Sequence, residues 1–535
     1  MKNSLTQLAI ILAYILISNT SFSQSKKESY KNKTFKLEKY EVLDISFNSK
    51  KQIISPFEVD FGAKFIKPDG SELTVQGFYN DSREWILRFS ANEIGDWNYT
   101  TFSSVKILNN KKGKITVSKA KPGKHGAVVI NKNDPKKFAY EDGSTYFLQA
   151  FEIDWLFALD YDNPNAAPKT EHLLNLISKN GFNQVVTTLY SYDVRWEKDD
   201  RLKLHPEHEF GSRDDIFPFL GSNSKPDHSS LNVTFFKRFD RIVSLMHDKN
   251  IVANLMIYVW NKKVKWPKPG SLEDDRFFDY VMKRYQAFPN VVWNISKEAF
   301  RQTIPYMSER IERAKKLDAY NRLVTIHDFR KADEVPIDFI SYQGGWSTLY
   351  TKMIEEYKKY DKPVVNIENA GYSESSYMVF PCDFIIAEEC LKRNYQCYFA
   401  GVYTNYYWQA LAWNVMVYNP YEQEDDFLKP KFEYYKYLKE FFDKYDYQKF
   451  KPVWDERRIG HCLKSDDGIY LYYMAKENYQ LSIYSNKGIG LKQGTYQWFN
   501  THTGEYSKEI KYEGKHILNP FHRSVDAILI RNTNK

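Results

Sequence analysis

The sequence predicts an α/β protein: a (β/α)8 TIM barrel flanked by an N-terminal Ig-like β-sandwich and a C-terminal small β-sandwich. Three observations carry this. Residues 30–120 read as short alternating strands separated by turn signals. Residues 130–450 alternate apolar strand runs with amphipathic helical stretches. Residues 450–535 return to short β runs such as "GIYLYYMA" and "DAILIRN". A chain of 535 residues is long for one domain, so several units are expected.

At the N-terminus, Lys2 precedes the apolar run "LAIILAYILI", and small residues follow at Ser21 and Ser23. This is the pattern of a signal peptide over residues 1–23, cut before Gln24, and the run is short for a membrane anchor. A periplasmic or secreted protein is expected, with no membrane span after cleavage. The first β-domain spans 30–122, where "FEVDFGAKFI" and "EWILRFS" alternate around the turn "KPDG".

In the central part eight strands are expected, over 147–155, 182–190, 251–260, 290–298, 322–329, 338–345, 363–370 and 401–408. Between them, Leu173, Leu174 and Ile177 keep helical spacing, as do Phe236, Phe239, Ile242, Val243 and Met246. Eight such units predict a closed barrel over 126–450, with an open doubly wound sheet as the alternative. The link "RKADEVPI" between strands five and six is too short for a full helix. Residues 191–232 are a long insertion after strand two, expected over the active face. A second β-domain covers 451–535.

Composition narrows the function. The formal net charge of +8 is small for this size and no basic block appears, which argues against nucleic-acid binding. Cys382, Cys390, Cys397 and Cys462 form no CxxC pair and no His/Cys zinc spacing, so no metal and no cofactor are expected; a disulfide among them stays open. The 41 Tyr and 12 Trp suit sugar faces as well as cores.

Barrel chemistry sits at the C-terminal ends of the strands. There, Glu298 ends strand four in "NVVWNISKEAF" and Glu368 ends strand seven in "KPVVNIENAGY". A single Glu after a strand is usually just solvated. Two across one barrel mouth are the equipment for glycoside hydrolysis, one as proton donor and one as nucleophile or base. Glu152 and Asp154 at strand one are candidates for binding substrate hydroxyls, with Asp193 and Asp328 as further carboxylates. Tyr258, Trp260, His327, Tyr342, Trp346, Tyr407 and Trp408 are candidates for sugar stacking or hydrogen bonding, against the plainer role of packing. Lys297 is placed to bind an anionic substituent or to set the charge around Glu298.

The stretch "GFYNDSREWILRFSANEIGDWNYTTFS" keeps Gly77, Phe78, Tyr79, Trp85, Arg88, Phe89, Glu93, Gly95 and Trp97. It resembles the Ig-like domain of unknown function that precedes bacterial glycoside hydrolase barrels. The barrel resembles the apiosidase-like hydrolases, in the clan with catalytic glutamates on strands four and seven, and "YQWFNTHTGEY" is similar to the β-domain closing such chains. The resemblance implies a retaining double displacement on a polysaccharide or its oligosaccharides. It assigns Glu298 as acid/base, Glu368 as nucleophile, Tyr342 as the tyrosine that bonds the nucleophile and Trp408 as the floor of the sugar subsite. It places Glu152 and Trp155 at the acidic residue and tryptophan of strand one. One departure stands out: the clan's Asn before the acid/base is Lys297 here, which leaves the 2-hydroxyl contact and the sugar open. A carbohydrate-binding surface protein with an inactive barrel, and a polysaccharide lyase using His327 and Lys297, are the competing readings.

Overall fold

Eight largely buried runs form eight parallel strands: β1 (Gln149–Glu152), β2 (Gln184–Thr188), β3 (Val252–Val259), β4 (Val291–Lys297), β5 (Val324–His327), β6 (Ile340–Gln343), β7 (Val364–Glu368) and β8 (Tyr403–Trp408). The computed structural model describes residues 25–534 apart from 212, 328, 346, 379–383, 454–460, 477–479, 482–493, 513–516 and 523. The expected leader, Asp328, Trp346 and Cys382 therefore lie outside the described residues.

The strands are hydrogen-bonded in the order β5-β4-β3-β2-β1-β8-β7-β6 and curl into a nearly closed barrel. Helices α1 (Pro168–Lys179), α2 (Val233–Asp248), α3 (Leu272–Tyr285), α4 (Ile304–Leu317), α5 (Leu349–Lys359), α6 (Ala387–Phe399) and α7 (Glu433–Tyr445) surround it. Local chemistry starts several of them. Asn232, Ser271 and Thr303 each accept a hydrogen bond from the backbone N–H three residues on, capping α2, α3 and α4. The missing helix falls between β5 and β6, where only a 3-10 turn (Phe329–Lys331) occurs. That seam is bridged by the Thr325 hydroxyl, which donates to the Phe339 carbonyl (2.9 Å) and lies 3.0 Å from Ser341 Oγ. Among the described residues no helix is long and apolar enough to cross a membrane.

The N-terminal unit is a sandwich of a four-stranded and a five-stranded sheet. Its core includes Phe65 stacked on Phe89 at 4.3 Å, with Trp85 and Trp97 fully buried. Arg88 is buried too, for a reason outside the sandwich. Its guanidinium grips Asp44 (2.7 and 2.8 Å), then Asp240 of α2 (3.0 Å) and the Arg284 carbonyl of α3 (2.8 Å). A buried cation needs this full set of partners, and here they bolt the sandwich to the barrel.

The C-terminal unit is a six-stranded antiparallel sheet running 450–453, 461–465, 469–474, 527–532, 495–500 and 510–511 in spatial order. Side chains alternate faces with period two. Tyr473 and Phe499 face the barrel, against Tyr395 of α6 (5.3 Å) and Phe441 of α7 (4.6 Å). Tyr472, Tyr496 and Trp498 form a separate core on the other face. There the second layer is, among the described residues, a two-stranded pair of 480–481 with 517–518.

Candidate active site

The strand tips converge on a cavity of about 380 Å³ lined by Glu298 and Glu368 together with Trp196, Trp260, Lys262, Lys297, Gln343, Tyr372 and Trp413. Glu298 follows β4 directly and takes a left-handed backbone (φ 59°). A non-glycine residue held there costs about 1–3 kcal/mol. The turn aims its carboxylate at the mouth, where Arg301 Nε stands 3.8 Å away.

Lys297 reaches the interior through a register shift between β4 and β5 after Asn294. Asn294 and Lys297 both point inward, while Ser296 contacts Met307 of α4. The Lys297 ammonium is buried among three carboxylates. It donates to Glu152 (2.5 Å) and stands 3.3 Å from Glu368 and 3.7 Å from Asp154. Burial alone would depress this ammonium, but Asp154, Glu152 and Glu368 hold it well above the usual lysine range.

The carboxylates separate in character. Burial alone would raise Glu368, yet Lys297, His327 at 3.4 Å and the Tyr407 hydroxyl at 2.9 Å keep it well below the usual carboxylate range. Gln343 (2.6 Å) and Tyr372 (3.2 Å) donate to its other oxygen. Glu152 goes the other way: burial and the charges of Asp154 and Glu368 push it well above, against Lys297. The Tyr407 hydroxyl also hydrogen-bonds Glu152, and Asn405 donates to it at 3.2 Å. Asp154 stays low; burial is outweighed by Lys297 and Lys262. Lys262 lies 3.6 Å from Asp154, and burial pushes its ammonium down to about 8.

The sequence-derived candidates divide cleanly. Glu152, Asp154, Lys297, His327, Glu368 and Tyr407 form one contiguous charged cluster, and Trp260, Lys297, Glu298 and Glu368 line the cavity. Tyr258, Tyr342 and Trp408 are placed elsewhere. Tyr258 donates to Asp274 of α3 (2.5 Å), and Tyr342 faces Lys352 and Glu356 of α5. Trp408 packs on Phe432 (6.0 Å) and donates to the Glu374 carbonyl (3.1 Å). On β6 the residue bonded to Glu368 is Gln343, not Tyr342. After β8 the tryptophan at the cavity is Trp413, not Trp408. Tyr372 is brought in by a short strand (Tyr372–Ser373) that pairs with Tyr407 and Trp408. Lys262, Trp196 and Trp413 come from loops, where strand-end reasoning gives no signal.

The apiosidase-like catalytic domain model matches residues 132–449, more than half of the chain. The chain belongs to the apiosidase-like family. A domain of unknown function (DUF5060) matches residues 36–104, within the sandwich. No curated protein matches the chain. Among solved structures it is similar to a candidate glycoside hydrolase from Bacteroides vulgatus ATCC 8482, at 17% identity and TM-score 0.74, over 93% of this chain and 99% of that one. It is also similar to a glycoside hydrolase family 5 protein from the same organism, at 14% identity and TM-score 0.53, over 77% of this chain and 94% of that one. At these identities the likeness is one of fold, and the fold is that of glycoside hydrolases. In this barrel Glu298 directly follows β4 and Glu368 ends β7.

Proposed function

We propose that this protein is an exported glycoside hydrolase that cleaves a polysaccharide or its oligosaccharides by a retaining two-glutamate mechanism. One observation carries the reading: Glu298 and Glu368, from different strands, line a single cavity, and Lys297, His327 and Tyr407 keep Glu368 ionised. Glu368 attacks the anomeric carbon while Glu298 protonates the departing glycosidic oxygen, which leaves a glycosyl ester on Glu368. Glu298, now a carboxylate, takes a proton from water; the water attacks the same carbon, and Glu368 is released. Attack from opposite faces in turn restores the original anomeric configuration.

Lys297 supports this chemistry without touching the leaving group. It neutralises the buried Glu368 charge in the resting site and stays close as that charge is spent on the covalent bond. Trp260, Trp196 and Trp413 offer aromatic faces to sugar rings. Arg195, Lys262 and Arg301 add positive charge to the same cavity, which favours a substrate carrying carboxylate or sulfate groups. Export rests on the leader-like residues 1–23.

The test is a panel of polysaccharides, neutral and anionic, followed by NMR of the first product formed on a cleaved substrate. Retention of the anomeric configuration, and labelling of Glu368 by a 2-fluoro glycoside of the released sugar, are expected. An inverted product, or a label on another residue, would refute the assignment. Unsaturated product from a uronate polymer would favour a lyase. Binding without cleavage of any member would favour a non-catalytic carbohydrate receptor.

A further inference from the structure

The insertion between β2 and α2 contains a 3-10 turn (Pro206–His208) within the sequence "HPEH". Ligand-type atoms of His205, Glu207 and His208 lie within 4.8 Å of one another. His205 Nδ1 is 3.3 Å from Glu207 Oε1, and His208 Nε2 is 3.8 Å from the same oxygen. The two imidazole ring centres are 5.4 Å apart. Two imidazoles sharing an ion at about 2.0–2.1 Å place their ring centres roughly 5 Å apart.

His208 is held from its other side. It is 3% exposed, and its Nδ1 sits 2.7 Å from the Tyr377 hydroxyl. A metal-bound histidine characteristically engages its other ring nitrogen in such an outer bond, which fixes tautomer and orientation. Glu207 and His205 remain partly open to solvent, so water can fill the remaining positions.

We propose that His205, Glu207 and His208 bind one divalent transition-metal ion of the zinc type, with Tyr377 orienting His208. Two imidazoles and a carboxylate suit zinc and its neighbours, whereas calcium and magnesium prefer sites built of oxygen. The turn is already stitched to the segment after β8: Met416 N–H donates to the His208 carbonyl (2.9 Å), and Glu209 bridges Val415. Trp413, at the cavity, lies just upstream in that segment. An ion here stiffens the turn that these backbone contacts already join to the rim of the mouth. It takes no part in bond cleavage, and the site stands whether or not the protein is a glycosidase.

Chelator-treated full-length mature protein is dialysed against zinc chloride and its metal content measured, with cobalt absorption as a second readout. One zinc per chain is expected. His205→Ala and Glu207→Gln, both at partly exposed positions, should each weaken zinc at least tenfold, and Tyr377→Phe about tenfold with all three ligands intact. His172→Ala, which removes an exposed imidazole 3.6 Å from Glu422, should change nothing. Zinc should raise Tm in the parent and not in the His205→Ala, Glu207→Gln double variant. Zinc uptake equal in parent and double variant, absence of uptake at micromolar zinc, or tighter binding of calcium would each overturn the proposal.

Discussion

The Lys297 ammonium lies 3.3 Å from Oε1 of Glu368, and the next residue in the chain is Glu298. One strand tip thus supplies both a counter-charge for one glutamate and the other glutamate itself. In Lys297→Asn the cation that offsets three buried carboxylates is gone, and Glu368 ionises at higher pH. The acidic limb of kcat/KM should move up the pH scale, and kcat should fall about 10²-fold. Stability should drop by about 3–5 kcal/mol, read from denaturant curves. An unmoved acidic limb would separate Lys297 from Glu368.

Replacing the two glutamates should give different signatures. Glu368→Gln should lose about 10³-fold or more on every substrate. Glu298→Gln should lose about 10²–10⁴-fold on natural glycosides and much less on aryl glycosides whose leaving group departs unprotonated. Equal losses on both substrate types would remove Glu298 from the acid role.

Burial outweighs the attraction to Asp154 and pushes the Lys262 ammonium down to about 8. It is charged below that value and neutral above it. KM for an anionic substrate should therefore rise as pH passes through about 8, and Lys262→Met should flatten the rise. Neutral substrates should show neither effect.

Two tryptophans near the end of β8 should separate binding from stability. Trp413→Phe should raise KM about 2–10-fold through lost stacking area at the cavity. Trp408→Phe should leave KM alone and lower Tm, because its indole fills the layer between β8 and Phe432.

His247 provides a pH test of the junction between sandwich and barrel. It accepts no proton easily: burial and Lys124 push it down to about 3, while its Nε2 faces the Tyr40 carbonyl at 3.0 Å. The unfolded chain takes up that proton near pH 6.5, the folded chain near 3. Its stabilising contribution is present above about 6.5 and is lost as pH falls towards about 3. Tm should decline over that window, and His247→Gln should decline less.

The eight strands were legible in the sequence because buried parallel strands are continuous apolar runs, and Glu298 and Glu368 were legible because they break those runs at their ends. Which neighbour faces inward was not legible from strand position alone. Tyr407 points in, so Trp408 must point out; Gln343 points in, so Tyr342 must point out. Inward polar residues such as Asn254, Asn294 and Asn405 give that parity, but the register shift after Asn294 breaks it just before Lys297. Trp196, Lys262 and Trp413 reach the cavity from loops, whose paths follow no period. Two of the cysteines, Cys390 and Cys397, are buried free thiols, which answers the disulfide question for those two.

The C-terminal sheet bears on where this protein can be cut. The family match stops at residue 449, yet Tyr395, Phe399 and Phe441 of the barrel helices are covered by Tyr473 and Phe499 from beyond that point. Excising the tail would bare an aromatic patch on the catalytic part and invite aggregation. The border drawn by similarity is therefore not a border of folding. A lineage, or an engineer, that exchanges the barrel must carry its sheet along as one inherited block.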